Sequence, residues 1–378
     1  MSTTLETLPR IQHGQIAGHP VGVLRWDEND SWTSGKKWVS GNKVEKLAWQ
    51  TDIASTLGYT HFVTMGGPWS NHLHAIGALC HHHNWGLNPI VRGEASASPS
   101  PTLCDLQHWG FPIYYCDRTR YRALRDQPLQ RREALLNYES KNKNTWDKTR
   151  RDDEATPRQI RTALDQHQAL SAFLYQLPST LHDQWYRDLV QDVQHSISHH
   201  SSWWIREGGD HALAVLSVAA WTQHIAQHLH NRNEHFDTWI VSMGTGSTFK
   251  GILLGLSLCH TPYPIQLIGV PTVCNIPSLT QDIARFEQIN TTNHTNPRIA
   301  WTLWQDTQWG GYAKYPASLA AQHPVLEASL GTPLDRVYTL KSAAALAKRL
   351  AEKSLRSARP LLIHTGGLQG NRIQAQST

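Results

Sequence analysis

The sequence of 378 residues lacks the features of a membrane protein or of a disulfide-stabilised scaffold. Its five cysteines are widely spaced, odd in number and never paired as CxxC, so we expect free thiols in a reducing compartment. No stretch approaches the ~20 apolar residues of a membrane-spanning helix. The start of the chain, residues 1–12, is mixed and poor in hydrophobic residues, which does not resemble a signal peptide. These absences predict a cytoplasmic protein with no membrane partner.

An excess of charge of one sign is also absent. The formal net charge is only +5, and the basic residues are scattered along the chain instead of forming a block. We therefore expect no nucleic-acid partner. Charged residues make up 17% of the chain and hydrophobic residues 39%. The length is sufficient for two domains, or for one large α/β unit with a sizeable core.

Short apolar segments alternate with helical segments along much of the chain. We predict strands at residues 21–27, 61–65, 87–92, 110–115, 237–242, 265–270 and 360–364, after an irregular lead-in at residues 1–20. Alternation of this kind predicts an α/β fold with parallel-rich sheets and helices on both faces. Residues 117–200 are instead rich in Arg, Gln, Asp and Leu, and we interpret them as a helical insertion.

Lys43 stands at the start of a predicted helix that runs to about Leu57. It follows a turn-forming Ser-Gly-Asn sequence. An amine at the start of a helix can attack a carbonyl group, because burial and the helix dipole lower its pKa. Taken alone, the pattern is more typical of a solvated surface lysine.

Three glycine-rich turns accompany this lysine. The first, Gly-Gly-Pro-Trp at residues 66–69, leads into a helix that begins near Ser70, Asn71 and His72. The second lies between a strand and a helix and contains Gly244, Thr245, Gly246, Ser247 and Thr248. The third is a Gly-Gly pair after Thr365. A helix N-terminus behind a glycine turn can bind a carboxylate or a phosphate, although Ser70 can be only a helix cap and residues 244–248 only a tight turn.

In this order, the four motifs resemble the pyridoxal-phosphate (PLP) enzymes of the tryptophan-synthase-β type, also called fold type II. The similarity is greatest to the branch of 1-aminocyclopropane-1-carboxylate (ACC) deaminases and D-cysteine desulfhydrases. The resemblance implies PLP as the cofactor, bound in a cleft of a two-domain fold, and a homodimer. It implies that Lys43 binds PLP covalently and that Asn71 contacts the ring hydroxyl. The phosphate would be held by Gly244, Thr245, Gly246, Ser247 and Thr248.

The resemblance also implies roles for three hydroxyl groups. Thr365 would face the pyridine nitrogen, and such a neutral partner favours elimination over transamination. Ser70 would contact the substrate carboxylate or transfer a proton, and Tyr312 would stack near the cofactor or handle protons. Residues 245–248 resemble the deaminase motif, whereas residues 70–72 resemble the desulfhydrase motif. After Tyr312 the chain reads Ala-Lys-Tyr-Pro, where the family usually has a glycine followed by proline and acidic residues.

The 23 histidines raise the question of a metal site. His224 and His228 have the i, i+4 spacing of a zinc pair, but no glutamate lies between them. Further clusters occur at residues 81–83 and 199–200. Surface histidines in a His- and Gln-rich chain are the preferred interpretation, and we predict no metal.

These observations lead to a prediction of domains and activity. We expect a large PLP-binding domain from residues 1–55 and 201–378, a small α/β domain from residues 56–116, and the insertion at residues 117–200. The expected activity is the PLP-dependent breakdown of a small amino acid to a 2-oxo acid and ammonia, by a D-cysteine desulfhydrase-like or ACC deaminase-like lyase. One alternative is a PLP-binding homologue with a carrier or regulatory role. Another is a nucleotide-binding α/β protein that uses residues 244–248.

Overall fold

A computed structural model of the chain describes residues 9–26, 41–126, 154–199, 202–259, 261–272, 276–290, 298–305 and 309–372. The strands in these ranges are β1 (Ile11–Ile16), β2 (His19–Arg25), β3 (His61–Gly66), β4 (Gly86–Arg92), β5 (Tyr114–Cys116), β6 (Ile197–His199), β7 (Ser202–Ile205), β8 (Thr238–Met243), β9 (Ile265–Pro271), β10 (Ile299–Leu303) and β11 (Pro360–His364). The α-helices are α1 (Asn42–Thr56), α2 (Asn71–His83), α3 (Pro101–His108), α4 (Arg118–Asp126), α5 (Pro157–Gln166), α6 (Gln168–Leu174), α7 (Ser179–Ser196), α8 (Ala212–Asn231), α9 (Ser247–Leu258), α10 (Ile276–Asn290), α11 (Ala317–Leu330) and α12 (Thr339–Ala351). None of these helices is both long enough and apolar enough to cross a membrane.

The chain divides into two compact units, each built around one sheet. Described residues between 46 and 216 form the first, which we call the five-strand unit. Described residues before 46 and after 216 form the second, the six-strand unit.

The six-strand unit has the strand order β1-β2-β11-β8-β9-β10. All neighbours are parallel except β1 and β2. Side chains of β8 alternate between two apolar clusters, with Trp239 and Val241 in one and Ile240 in the other. A strand whose alternate residues enter separate clusters is buried on both faces, as in sheets covered by helices on each side.

The five-strand unit has the order β5-β4-β3-β7-β6, with only β6 and β7 antiparallel. Its central strand β3 is buried along its whole length. Because β3 runs directly into the turn before α2, the buried strand fixes where that turn begins.

The expectation of an irregular lead-in is wrong for Ile11–Ile16, which forms β1 and pairs with β2. Ala17 and Gly18 connect the two strands with φ of 50° and 78°. Two left-handed residues in a row are typical of a two-residue hairpin turn. Since β1 has only two apolar side chains, at its ends, it lacks the alternation that identifies a strand in sequence.

The unit boundaries differ from the predicted domains at two places. The prediction assigned residues 201–216 to the large domain, whereas β7 pairs with β3 in the five-strand unit. The described helices of the predicted insertion, α4 to α7, also belong to that unit. Asp192 on α7 accepts a hydrogen bond of 2.8 Å from the backbone N–H of Ala212, so α7 joins the start of α8. Residues 127–153 of the predicted insertion lie outside the described ranges.

Candidate cofactor and substrate sites

The turn before Lys43 packs directly on the backbone that follows β11. Gly41 has φ of +79°, and a Cβ atom there would lie 2.3 Å from the carbonyl oxygen of Thr365. The backbone N–H of Asn42 donates a hydrogen bond of 3.2 Å to the same oxygen. Only glycine fits position 41, both in conformation and in space. Lys43 follows, half-buried in the first turn of α1.

Asn42 also links this turn to the glycine turn at residues 244–248. Its side-chain Nδ2 donates a buried hydrogen bond of 2.8 Å to Oγ1 of Thr248. Because Thr248 Oγ1 accepts here, its own O–H remains available as a donor. The structure thus brings three of the four sequence motifs together within the six-strand unit.

Residues 244–248 connect β8 to α9. Gly246 is the N-cap of α9 with φ of +92°, and no side chain in the described part of the chain caps the helix there. The first N–H groups of a helix carry a partial positive charge and bind anions. The hydroxyl oxygens of Thr245 and Ser247 lie 3.0 Å apart. Thr245 is exposed and Ser247 is buried. A helix N-terminus with these hydroxyls fits the phosphate of PLP.

The turn that contains Thr365 is held by a buried histidine. The ring of His364 donates from Nε2 to the carbonyl oxygen of Pro333 at 2.9 Å, and its Nδ1 accepts from the N–H of Gly366 at 3.2 Å. These two bonds make Nε2 the donor and Nδ1 the acceptor, and together they fix the orientation of the ring. Sequence reasoning missed His364, although its place at the end of a buried strand, directly before Thr365, was a signal.

Tyr312 lies in a loop that contacts the first turn of α12. Its ring meets the ring of Tyr338 edge to face, with 6.4 Å between centroids. Tyr338 also lies beside Gly244, where a Cβ atom would be 3.6 Å from the Tyr338 ring. Lys341, which the sequence reasoning missed, is fully buried and donates from Nζ to the Gly311 carbonyl oxygen at 2.7 Å. Burial lowers the pKa of Lys341 to about 8. A lysine among the alanines and leucines of an apolar helix face was the available signal.

Ser70 is the N-cap of α2 in the five-strand unit. Its Oγ accepts from the backbone N–H of Leu73 at 3.2 Å, and the residue is 7% exposed. A Cβ atom at Gly66 would lie 2.8 Å from Ser70 Oγ, so the glycine allows the turn to fold back onto the end of β3. Asn71 is half-buried at the first position of α2. The cap geometry presents N–H groups that can also bind a carboxylate.

His72, although part of the same motif, is tied to the sheet. The Thr64 hydroxyl donates to the Ile205 carbonyl oxygen at 2.8 Å, so its oxygen accepts from Nε2 of His72, 2.7 Å away. This chain of bonds fixes the ring and connects α2 to β3 and β7. A further buried lysine on α1, Lys46, donates from Nζ to the Gly208 carbonyl oxygen at 2.6 Å.

The histidine pairs considered for metal binding lie on helices and strands of both units. Within the described ranges, no three His, Cys, Asp or Glu side chains are grouped so that they could hold a metal ion. His224 and His228 lie on α8. His200 lies outside the described residues.

Comparison with known sequences gives partial matches. No protein-family model matches the chain. It is 27% identical to a D-cysteine desulfhydrase of Serratia proteamaculans over 164 residues, which are 42% of this chain and 48% of that protein. It is 26% identical to a Pyrococcus furiosus protein provisionally named 1-aminocyclopropane-1-carboxylate deaminase over 168 residues, 43% of this chain and 49% of that protein. The chain therefore spans about half the length of the curated relatives that it matches.

Comparison with solved structures covers nearly the whole chain. An ACC deaminase homologue superposes with a TM-score of 0.62 at 18% identity, over 97% of this chain and 91% of that one. A pyridoxal 5'-phosphate-dependent aspartate racemase gives a TM-score of 0.51 at 10% identity, over 95% and 90%. The chain has the fold of the type II PLP enzymes. The predicted fold class, and the predicted resemblance to the ACC deaminase and D-cysteine desulfhydrase branch, are confirmed. The homodimer, the cytoplasmic location and the roles of single site residues stay predictions.

Proposed function

We propose that the protein is a PLP-dependent lyase that breaks down a small amino acid, D-cysteine or ACC, to a 2-oxo acid and ammonia. The observation that carries this proposal is the joining of three motifs in the six-strand unit. Gly41 and Asn42 tie the turn before Lys43 to Thr365 and to Thr248. A PLP site needs an amine for the covalent bond, an anion-binding group for the phosphate and a partner for the pyridine nitrogen, and the Thr365 hydroxyl would be that partner here.

The residues of the six-strand unit would hold the cofactor as follows. Lys43 would bind it covalently, and the N-terminus of α9 with Thr245, Ser247 and Thr248 would bind its phosphate. Thr365 would face the pyridine nitrogen. When bound, PLP supplies an electron sink for bond breaking at the α-carbon of an amino acid.

The residues of the five-strand unit would bind the substrate carboxylate. Ser70 Oγ accepts from Leu73 N–H, which leaves the Ser70 O–H free to donate to a carboxylate oxygen. The first N–H groups of α2 would add to this interaction. Asn71 would contact the ring hydroxyl of the cofactor, and Tyr312 in the six-strand unit would hold or move a proton at its phenolic oxygen.

A carrier or regulatory homologue that binds PLP without turnover is the second candidate. It is supported by the sequence Ala-Lys-Tyr-Pro after Tyr312, which has no carboxylate. The names of the two curated relatives support turnover, because both denote enzymes.

The absorption spectrum of the purified protein tests the proposal. We expect a PLP band near the visible edge in the wild type and in the control Lys348→Ala, which changes an exposed lysine of the same unit. Lys43→Ala should lack this band even after incubation with PLP. Release of pyruvate and sulfide from D-cysteine, or of 2-oxobutanoate from ACC, would identify the substrate.

A PLP band without turnover of either substrate would favour the homologue with a carrier or regulatory role. A wild type that shows no band after incubation with PLP would refute the role of Lys43 and leave only the fold.

A further inference from the structure

The loop that carries Tyr312 has an unfavourable backbone conformation. Trp309, Gly310, Gly311 and Ala313 have φ of 49°, 78°, 95° and 57°. Glycine adopts positive φ freely, but this conformation is unfavourable for Trp309 and Ala313, which carry a Cβ, and it persists there only where surrounding structure holds it. Tyr312 lies inside this run, so the placement of its side chain depends on what holds the loop.

A buried lysine makes a contact that stabilises this loop. Lys341 Nζ donates to the carbonyl oxygen of Gly311 at 2.7 Å, and the residue has no exposed surface. Lysine is almost never fully buried in proteins without a partner. Hydrogen bonds from a charged donor are shorter and stronger than those between neutral groups. The contact therefore fixes the residue directly before Tyr312.

Burial lowers the pKa of Lys341, and the nearby carboxylate of Asp335 acts in the opposite direction because it favours the ammonium form. This carboxylate also has hydrogen-bond partners of its own. The Asp335 carboxylate accepts from the backbone N–H groups of Val337, Tyr338 and Thr339 at 3.1, 2.8 and 2.7 Å. These bonds hold the chain that leads into α12, up to its first residue, and so help to place Lys341 in the first turn.

The same turn of α12 reaches the glycine turn before α9. Tyr338, three residues before Lys341, lies beside Gly244 and against the ring of Tyr312. Tyr338 is the N-cap residue of α12, and Lys341 lies in its first turn. The start of α12 therefore contacts both the Tyr312 loop and Gly244, the first residue of the turn at residues 244–248.

We propose that Lys341 is a positioning residue, which holds the Gly311 carbonyl group and thereby sets the place of Tyr312 relative to the turn at residues 244–248. The inference rests on the proposed function, in which Tyr312 handles a proton and residues 244–248 bind the cofactor phosphate. Lys341 itself remains bound to the protein backbone.

Amide hydrogen exchange of the cofactor-free full chain tests the hold itself. Lys341→Met keeps the length of the side chain but removes its donor, and Lys348→Met on the same helix is the matched control. We expect amides of residues 309–315 to exchange at least ~10-fold faster in Lys341→Met, because loss of an anchoring contact lowers local stability. The control should match the wild type. Lys341→Gln, which keeps an N–H donor, should lie between them and serves where the methionine variant does not fold. Wild-type exchange in both Lys341 variants would overturn the proposal.

A double-mutant cycle in the PLP-loaded enzyme tests the link to Tyr312. We expect Lys341→Met to lower kcat roughly 10- to 100-fold with little change in KM, since small misplacements of a catalytic group have effects of this size. In a Tyr312→Phe background the same change should lower kcat less than ~2-fold. Two effects that multiply would show that Lys341 does not act through Tyr312. If the wild type neither binds PLP nor turns over, the proposed function fails, while the exchange experiment still decides whether Lys341 holds the loop.

Discussion

The two units position their candidate site residues by different means. In the six-strand unit, the turn before Lys43 packs backbone to backbone, with Gly41 against Thr365 and no room for a side chain. In the five-strand unit, the Ser70 turn is held by side chains, through the cap at Ser70 and the bonds from His72 to Thr64. The backbone contact at Gly41 tolerates only glycine, whereas the side-chain contacts at Ser70 can be weakened by degrees through different substitutions. We therefore expect any substitution at position 41 to reduce stability and cofactor binding together. At position 70, we expect substitutions that remove activity with little loss of stability.

The units also differ in which buried group responds to pH. Burial lowers the pKa of His61 in the five-strand unit from 6.5 to about 4. Burial lowers the pKa of Lys341 in the six-strand unit from 10.5 to about 8. In both cases the unfolded chain binds more protons between the two values, so stability rises with pH. The window is acidic for the five-strand unit and alkaline for the six-strand unit.

The largest expected effect is that of Gly41→Ala. The added methyl group would meet the Thr365 carbonyl oxygen at 2.3 Å in a left-handed backbone. We expect a loss of about 3–5 kcal/mol in unfolding free energy, together with loss of the PLP band, since overpacking and a left-handed alanine each destabilise.

The matched control is Gly18→Ala. Gly18 has a nearly identical φ of 78° but nothing within 4 Å of an added Cβ. It should lose only about 1–2 kcal/mol, the part due to backbone conformation. Urea denaturation measures the unfolding free energy of both variants. Equal losses in Gly41→Ala and Gly18→Ala would mean that the close contact with Thr365 adds nothing to the cost of a side chain at position 41.

The next largest effect is the loss of stability that His61 causes in the five-strand unit at acidic pH. Its neutral ring is buried in the folded state, so protonation favours unfolding as the pH falls from 6.5 toward about 4. The wild type should lose up to about 3 kcal/mol across this window from His61. His61→Gln should show a shallower decline in unfolding free energy between about pH 7 and about pH 4.5. Parallel declines in the two proteins would assign the acid sensitivity to other groups of the unit, such as His211, whose pKa is also lowered by burial.

The smallest effect on stability concerns Ser70. As an N-cap, Ser70→Ala should lose about 1 kcal/mol and Ser70→Gly only a few tenths. Both variants lack the hydroxyl, so both should lose most of the 2-oxo acid production. The control is the N-cap Thr156 of α5, whose Oγ1 accepts from Gln159 N–H. Thr156→Ala and Thr156→Gly should show the same stability order with unchanged activity. A Ser70→Gly variant as active as the wild type would leave Ser70 as a cap only.

The sequence predicted those parts of the fold whose signals are local. The helix after Lys43 and its end at Gly58, with φ of 81°, follow from propensity and a capping glycine. The last strand was predicted as residues 360–364, the bounds of β11, because it is a continuous apolar run. Contacts between residues far apart in the sequence could not be predicted, because they leave no local pattern. Nothing in the sequence near Asn42 indicates that its amide reaches Thr248, and nothing near Lys341 indicates Gly311.

The two compact units divide the chain differently from the predicted domains, and the reason is physical. Composition changes at about residue 117 and again at about residue 200 suggested a helical insertion. Helix α7 instead contacts strands β6 and β7 of the five-strand sheet and buries apolar residues such as Leu189 and Val193, which are spaced at i, i+4. A polar solvent-facing side gives such a helix the composition of an insertion, whereas its buried side makes it part of the core.

The contact between Asn42 and Thr248 joins residues 206 positions apart. Closing a loop of that length is entropically unfavourable before other contacts compensate for it, and such pairings form late in folding. The Thr365 contact spans still more of the chain. During synthesis, an emerging chain would thus expose Lys43 long before either partner of its turn exists. We expect competence to bind the cofactor to arise in one late step, after β11 has entered the sheet beside β2, and to be absent from every shorter nascent chain.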